Sequence, residues 1–89
     1  MTQYKTESLV LASYLFGLGF ELLDLIKNDK KNNMYFVFRF SEQLPTAVNL
    51  YITHGASMNP DIYHEAEKEL KKLLYMARNN INTNDEPRI

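Results

Sequence analysis

The chain has 89 residues, a length that supports one domain with a modest core, since roughly 65 per cent of the unfolded surface is buried at this size. It has no cysteine, which excludes disulfides, thiolate metal sites and a cysteine nucleophile and makes an intracellular, reducing compartment the default expectation. A net charge of −1 excludes whole-molecule steering toward nucleic acid, and the chain shows neither an apolar run of ~20 residues nor a secretory signal at its start, so no membrane partner is expected.

In chain order, residues 1 to 5 read as a short lead-in in which only Tyr4 can pack. Thr6 is a candidate N-cap for a helix over Glu7 to Leu18, a segment dominated by helix formers and apolar nearly all round. Leu9, Ala12 and Phe16 lie on one side and Leu11, Leu15 and Leu18 on the other, so the helix is either sandwiched in the core or leaves a face for a partner. Gly17 and Gly19 close it, with Gly19 in the left-handed position. The pair is no dinucleotide fingerprint, because Leu22 stands where that motif needs glycine and no strand precedes it.

Phe20 to Lys27 and Met34 to Phe40 read as two antiparallel strands joined by the polar run 28–33. Phe36, Phe38 and Phe40 alternate with Tyr35, Val37 and Arg39, the period expected of one buried face and one partly wet face. Leu44-Pro45 opens a second helix to about His54 with Gly55 as its stop, while the alternation of Val48, Leu50 and Ile52 keeps a strand over 46–54 as a competitor. Asn59-Pro60 is an N-cap with proline at the first helical position, predicting a long helix to Ile81. Its Ile62, Tyr63, Ala66, Leu70, Leu73, Leu74, Ala77 and Ile81 fall within an arc of about 120°, with acidic residues early and basic residues late as the helix dipole prefers. Residues 82–89 are polar and expected to be a disordered tail. The fold class is α+β: helix, antiparallel β-hairpin, then two helices, in one layer of helices on a small sheet, as a single domain over 1–81. A lone hairpin is marginal in water, so it must pack on helices or extend across a dimer, and its open edge is a candidate binding surface.

Thr6, Ala12, Leu15, Gly19 and Phe20, the strand Phe36-Val37-Phe38, and then Tyr51, Pro60 and Leu70-Lys71 resemble the pattern of a family of small uncharacterised domains from bacteriophages and bacterial mobile elements. The resemblance runs from Thr6 to Leu74 and rests on core and turn positions. It implies the element order and a mobile-element origin, and brings no chemistry with it.

Candidate sites are few. His54, Asp61, His64 and Glu65 could in principle hold a divalent ion but match no metal motif, and the solvated helix-end reading is the stronger one. Serines at 8, 13, 41 and 57 lie in no nucleophile-elbow pattern, and neither a phosphate loop nor a paired-carboxylate signature is present, so neither an enzyme nor a cofactor is expected. Lys27, Lys30 and Lys31 near the hairpin tip, with Tyr35 and Arg39 on one strand face, could hold phosphates beside a stacked base, although Asp24 and Asp29 cancel part of the charge. Leu11, Leu15, Leu18 and the isolated Tyr75 are candidates for a protein interface. The leading expectation is a non-catalytic module that forms a homodimer or docks on a protein complex; nucleic-acid binding by the hairpin is the alternative.

Overall fold

The computed structural model describes residues 2–28 and 33–83, with side chains placed as far as Arg78. Its elements are β1 (Gln3–Thr6), α1 (Leu9–Leu18), β2 (Leu22–Asn28), β3 (Asn33–Arg39), α2 (Leu44–Ile52) and α3 (Pro60–Thr83). The α+β class and the order of helix, hairpin and two helices stand as read from the sequence, with one strand added in front.

That strand comes from the residues read as a lead-in. β1 pairs antiparallel with β3, Tyr4 opposite Phe38 and Thr6 opposite Phe36, while β2 pairs with the other side of β3. The sheet order is therefore β1-β3-β2, and the hairpin gains its third strand from its own chain. Thr6 ends β1, so it does not cap α1; its hydroxyl accepts from the Ser8 amide at 3.1 Å. Ser8 is the cap, extended in backbone, with Oγ accepting from the Leu11 amide at 3.1 Å.

One face of the sheet carries all three helices. Tyr4, Leu22, Leu25, Phe36 and Phe38 join a single apolar cluster with Leu11, Ala12 and Leu15 of α1, Leu44 and Ala47 of α2, and Leu70 of α3. α1 packs against both other helices. α2 lies beside β1 and Phe40, and the second half of α3 lies beside β2, so the helices run α2-α1-α3 across the strands β1-β3-β2. The outward side of α1 is covered as well. Tyr14 meets Tyr51 at a centroid distance of 6.1 Å, and Gly17 lacks the Cβ that would stand 2.8 Å from Met58 Sδ. The helix is sandwiched along its middle, Leu11 to Leu15, while Val10 and Leu18 near its ends stay about half exposed.

The opposite face of the sheet has no helix, yet Val37 is buried there rather than partly wet. It sits on the central strand between Tyr35 and Arg39, with Lys5 and Asp24 as its neighbours on β1 and β2. Its place on the central strand gives it a neighbour on each side. Two residues of β2, Leu22 and Asp24, face successive residues of β3, so a bulge at Leu23 interrupts that edge.

Residues 44–52 are helical, which settles the competition with a strand. Pro45 sets the first turn, and Leu44 and Ala47, three apart, share one buried face as only a helix allows. The stop differs from the expectation: His54, not Gly55, takes the left-handed conformation, at φ 64°. Its amide donates to Tyr51 O at 3.2 Å and that of Gly55 to Leu50 O at 2.8 Å, the paired bonds of a Schellman turn. α1 closes the same way around Gly19 at φ 102°, with Gly19 N to Phe16 O at 3.0 Å and Phe20 N to Leu15 O at 3.1 Å. In α3 the Asn59 side chain accepts from the Asp61 amide at 2.7 Å, as its capping role requires. Ala66 and Leu70 are buried and Tyr63, Leu73, Leu74 and Ala77 partly so, but Ile62, at the edge of the expected stripe, is exposed. The helix extends two residues past Ile81; residues 84–89 of the expected tail lie outside the described residues.

The two helix stops predict substitutions of opposite sign. A left-handed non-glycine residue costs about 1–2 kcal/mol, offset in part by the 0.5–1 kcal/mol of chain entropy that glycine adds to the unfolded state. His54→Gly should therefore stabilise the fold by about 0.5–1 kcal/mol, and Gly19→Ala should destabilise it by about 1 kcal/mol. Urea unfolding followed by circular dichroism measures both, with a midpoint that rises for the first and falls for the second.

Candidate interaction surfaces

The polar residues singled out as chemical candidates do not converge. His54 sits in the turn after α2, and Asp61, His64 and Glu65 are exposed on the first turns of α3. Among the described residues no group of three or more His, Asp and Glu stands close enough to hold a metal ion. Ser8 is committed to capping and Ser13 is sealed in the core.

The hairpin residues are divided by the sheet. Tyr35 and Arg39 share the helix-free face, as read from the sequence. Lys27 is paired with Met34, whose parity places it with Phe36 on the helix-bearing face, where Lys27 borders a groove with Met76 and Ala77. Lys30 and Lys31 lie outside the described residues. On the helix-free face the groups already have partners: Arg39 Nε donates to Glu21 Oε1 at 2.7 Å, Lys5 Nζ stands 5.7 Å from the centre of the Tyr35 ring, and Asn28 Nδ2 donates to Tyr35 Oη at 3.2 Å and Glu7 Oε2 at 2.8 Å. Among the described residues this face carries three carboxylates, Glu7, Glu21 and Asp24, against two cations, Lys5 and Arg39.

The interface candidates divide as well. Leu11 and Leu15 are buried in the core, which removes them from any surface. Leu18 is 46% exposed and Tyr75 70% exposed. Leu18 lines a groove of about 580 Å³ with Tyr14, Phe20, Thr46, Ala47 and Leu50, and Glu42 stands at its border as its one charged residue. On the other side of α2, Tyr4, Phe40, Leu44, Pro45, Val48 and Ile52 border a second groove of about 740 Å³. Leu50 and Ile52, 44% and 63% exposed, crest the helix between them. The sequence pattern pointed to both only as part of a possible strand and to neither as an interface residue, although a signal was present: from Gln43 to Pro60 the chain carries no Asp, Glu, Lys or Arg. A solvent-facing helix with no charge on any face has no solvated side.

Tyr75 has a different setting. Lys68, Lys71, Lys72 and Arg78 lie seven, four and three residues before it and three after it, so all four cations surround it on the outer side of α3. Glu67 is 3.8 Å from Lys71, an exposed i,i+4 pair of small energetic weight.

One buried polar group stands apart. Ser13 Oγ, between α1 and the start of α3, has no partner in full hydrogen-bonding geometry, although the Tyr63 hydroxyl lies near enough for a weak contact. Burial raises the Tyr63 pKa, the Glu67 carboxylate raises it further, and the contact with Ser13 opposes part of the rise. Two tests follow. Ser13→Ala removes an unpartnered hydroxyl and improves helix propensity, so it should stabilise the fold by about 1 kcal/mol in chemical denaturation; a loss of stability would show the hydroxyl to be partnered in solution. The stability that comes from keeping Tyr63 protonated is present in full below its unfolded value of 10.0 and is lost as pH climbs through the higher native value. In Tyr63→Phe the fall in stability above pH 10 should be shallower, as read by unfolding midpoints across that range.

No match was found among curated proteins or among solved structures. The family described as "Domain of unknown function (DUF5659)" matches residues 1–76, and that span includes the sheet, α1, α2 and the packed part of α3. On that match the chain belongs to the DUF5659 family.

Proposed function

We propose that the chain is a non-catalytic interaction module that self-associates, or docks on a protein complex, through the largely apolar surface formed by α2 and the end of α1. The observation that carries this reading is the run Gln43 to Pro60, eighteen residues without a formal charge, which leaves Leu50 and Ile52 in solvent beside the exposed Leu18. Each large apolar side chain left outside forgoes about 1–2 kcal/mol of burial, which a partner surface would recover. The resemblance of its core and turn positions to small phage and mobile-element domains supports a role as an accessory protein of such an element, acting inside the bacterial cell.

A second reading, nucleic-acid binding, draws on a different place from the one the sequence pointed to. Of the described hairpin cations, Lys27 and Arg39 lie on opposite faces of the sheet, whereas Lys68, Lys71, Lys72 and Arg78 surround the exposed Tyr75 on α3. Such a set could hold phosphates while the ring stacks on a base.

Light scattering on the purified chain separates the readings. The interaction module should give a concentration-dependent mass of twice 10.4 kDa that persists from low to moderate salt and ignores an added pool of DNA and RNA oligonucleotides. Leu18→Glu combined with Leu50→Glu should return the mass to that of a monomer with unchanged circular dichroism, since both positions are already about half exposed. A monomer whose mass rises with the pool, and loses the rise as salt increases, would transfer the function to Tyr75 and its cations.

A further inference from the structure

The helix layer is wider than the sheet it covers. Three helices side by side at 8–10 Å place the outer axes about 16–20 Å apart, whereas three strands at 4.7–4.9 Å span only about 10 Å. α2 and α3 therefore overhang the two edges by about one strand's width each. The overhangs are the grooves beside β1, about 740 Å³, and beside β2, about 590 Å³. On the helix side, each edge is one strand short.

The two edges are not equivalent. β2 is broken by its bulge, and its groove includes Asp24 and Lys27, features that blunt an edge against further pairing. β1 has no irregularity in its register, and no charged residue lines its groove. The ladder also fixes which of its backbone groups are free. Phe40 N donates to Thr2 O at 3.0 Å, so the amides and carbonyls of Thr2, Tyr4 and Thr6 address β3, and by the alternation of an antiparallel pair those of Gln3 and Lys5 point outward.

We propose that this edge binds an extended peptide segment of a partner protein as a fourth, antiparallel strand, hydrogen-bonded to Gln3 and Lys5 beneath the overhang of α2. The chemistry of the segment follows from the register. Its residue opposite Tyr4 points into the groove formed by Phe40, Leu44, Val48 and Ile52 and must be apolar. Its residue opposite Lys5 lies on the helix-free face, where Lys5 favours an acidic side chain. The occupant is an alternating apolar and polar strand with an acid in the polar set. A second copy of this chain does not fit the same place, because its own β1 is roofed by its own α2, and two such overhangs cannot occupy one junction. The inference rests on the reading of the chain as an interaction module, but uses the Ile52 side of α2 rather than the Leu50 side that adjoins Leu18 of α1.

The test is selection of displayed random eight-residue peptides on the full chain, followed by amide NMR with one enriched peptide. Enriched sequences should alternate in polarity and carry an acid, and the bound peptide should slow hydrogen exchange at the Gln3 and Lys5 amides at least tenfold. N-methylation of a peptide amide that faces the edge should abolish binding, Ile52→Asp should weaken it at least tenfold with unchanged circular dichroism, and Lys5→Glu should switch the preference from acidic to basic peptides. No enrichment, binding indifferent to N-methylation, or protection that appears at Leu73 and Met76 instead would overturn the proposal. Protection of Gln3 and Lys5 that grows with protein concentration and needs no peptide would assign the edge to a second copy, which also overturns it. A chain that dimerises through Leu18 and Leu50 while selecting no peptide would sink this inference and leave the proposed function standing; a monomer that binds the peptides would do the reverse to self-association.

Discussion

Everything in this fold answers to one constraint: α1 carries no charged residue and presents apolar side chains in almost every direction. A ten-residue helix of that composition has no solvated face, so the chain must wall it in. The sheet supplies the floor through Phe36 and Phe38, α2 and α3 supply the sides, and Tyr51, Met58 and Tyr63 close most of the roof. Gly17 belongs to the same solution, because a Cβ there would collide with Met58. The third strand is needed for a related reason. A two-stranded ribbon about 5 Å across cannot floor a helix about 10 Å wide, and β1 widens it.

Satisfying α1 on both flanks creates a mismatch elsewhere. A helix layer of three over a sheet of three is too wide, and the excess appears at the edges as the two grooves. α3 manages its overhang with charge, since Glu65, Glu69 and Lys72 keep its outer surface solvated. α2 does not. The nine residues of α2 contain no ionisable side chain other than Tyr51, so the overhang on the β1 side stays apolar. This asymmetry, set by composition, separates a merely unfinished edge from a candidate interface.

Much of this was readable from the chain alone, and the failures share a cause. Helix stops and caps set by local chemistry were legible: Gly19 and Asn59 act as their residue types predict. Features decided by distant partners were not. Gln3–Thr6 has no strand signature of its own and becomes one by pairing with β3, 30 residues away, which also moves the start of α1 from Thr6 to Ser8. Val37 alternates like a half-wet residue, yet it lies buried on the central strand, where it has a neighbour on each side. The wheel shows that Leu11, Leu15 and Leu18 share a side of α1, but not that the core ends between Leu15 and Leu18. His54 took a left-handed conformation one residue before an available glycine, and nothing in the described contacts explains that choice.

The surface chemistry weighs most on function. Charges on this chain are not spread evenly; they gather on α3 and on the helix-free face of the sheet, where Arg39 meets Glu21 and Lys5 covers Tyr35. Exposed pairs of this kind contribute at most about 1 kcal/mol each, so their role is solvation rather than stability. The eighteen-residue uncharged stretch is then a surface where solvation has been given up over a whole helix without burial in return, whereas the exposed Ile62, Tyr75 and Met76 stand among charged neighbours. Leu50 and Ile52 could be replaced by polar residues at little cost to the fold, since neither reaches the core. A domain this small, with only a modest core to hold it together, has little reason to leave such side chains in water unless a partner covers them. The proposed interface therefore falls on α2 rather than on the better-charged surfaces, beside the helix whose packing demand put α2 there.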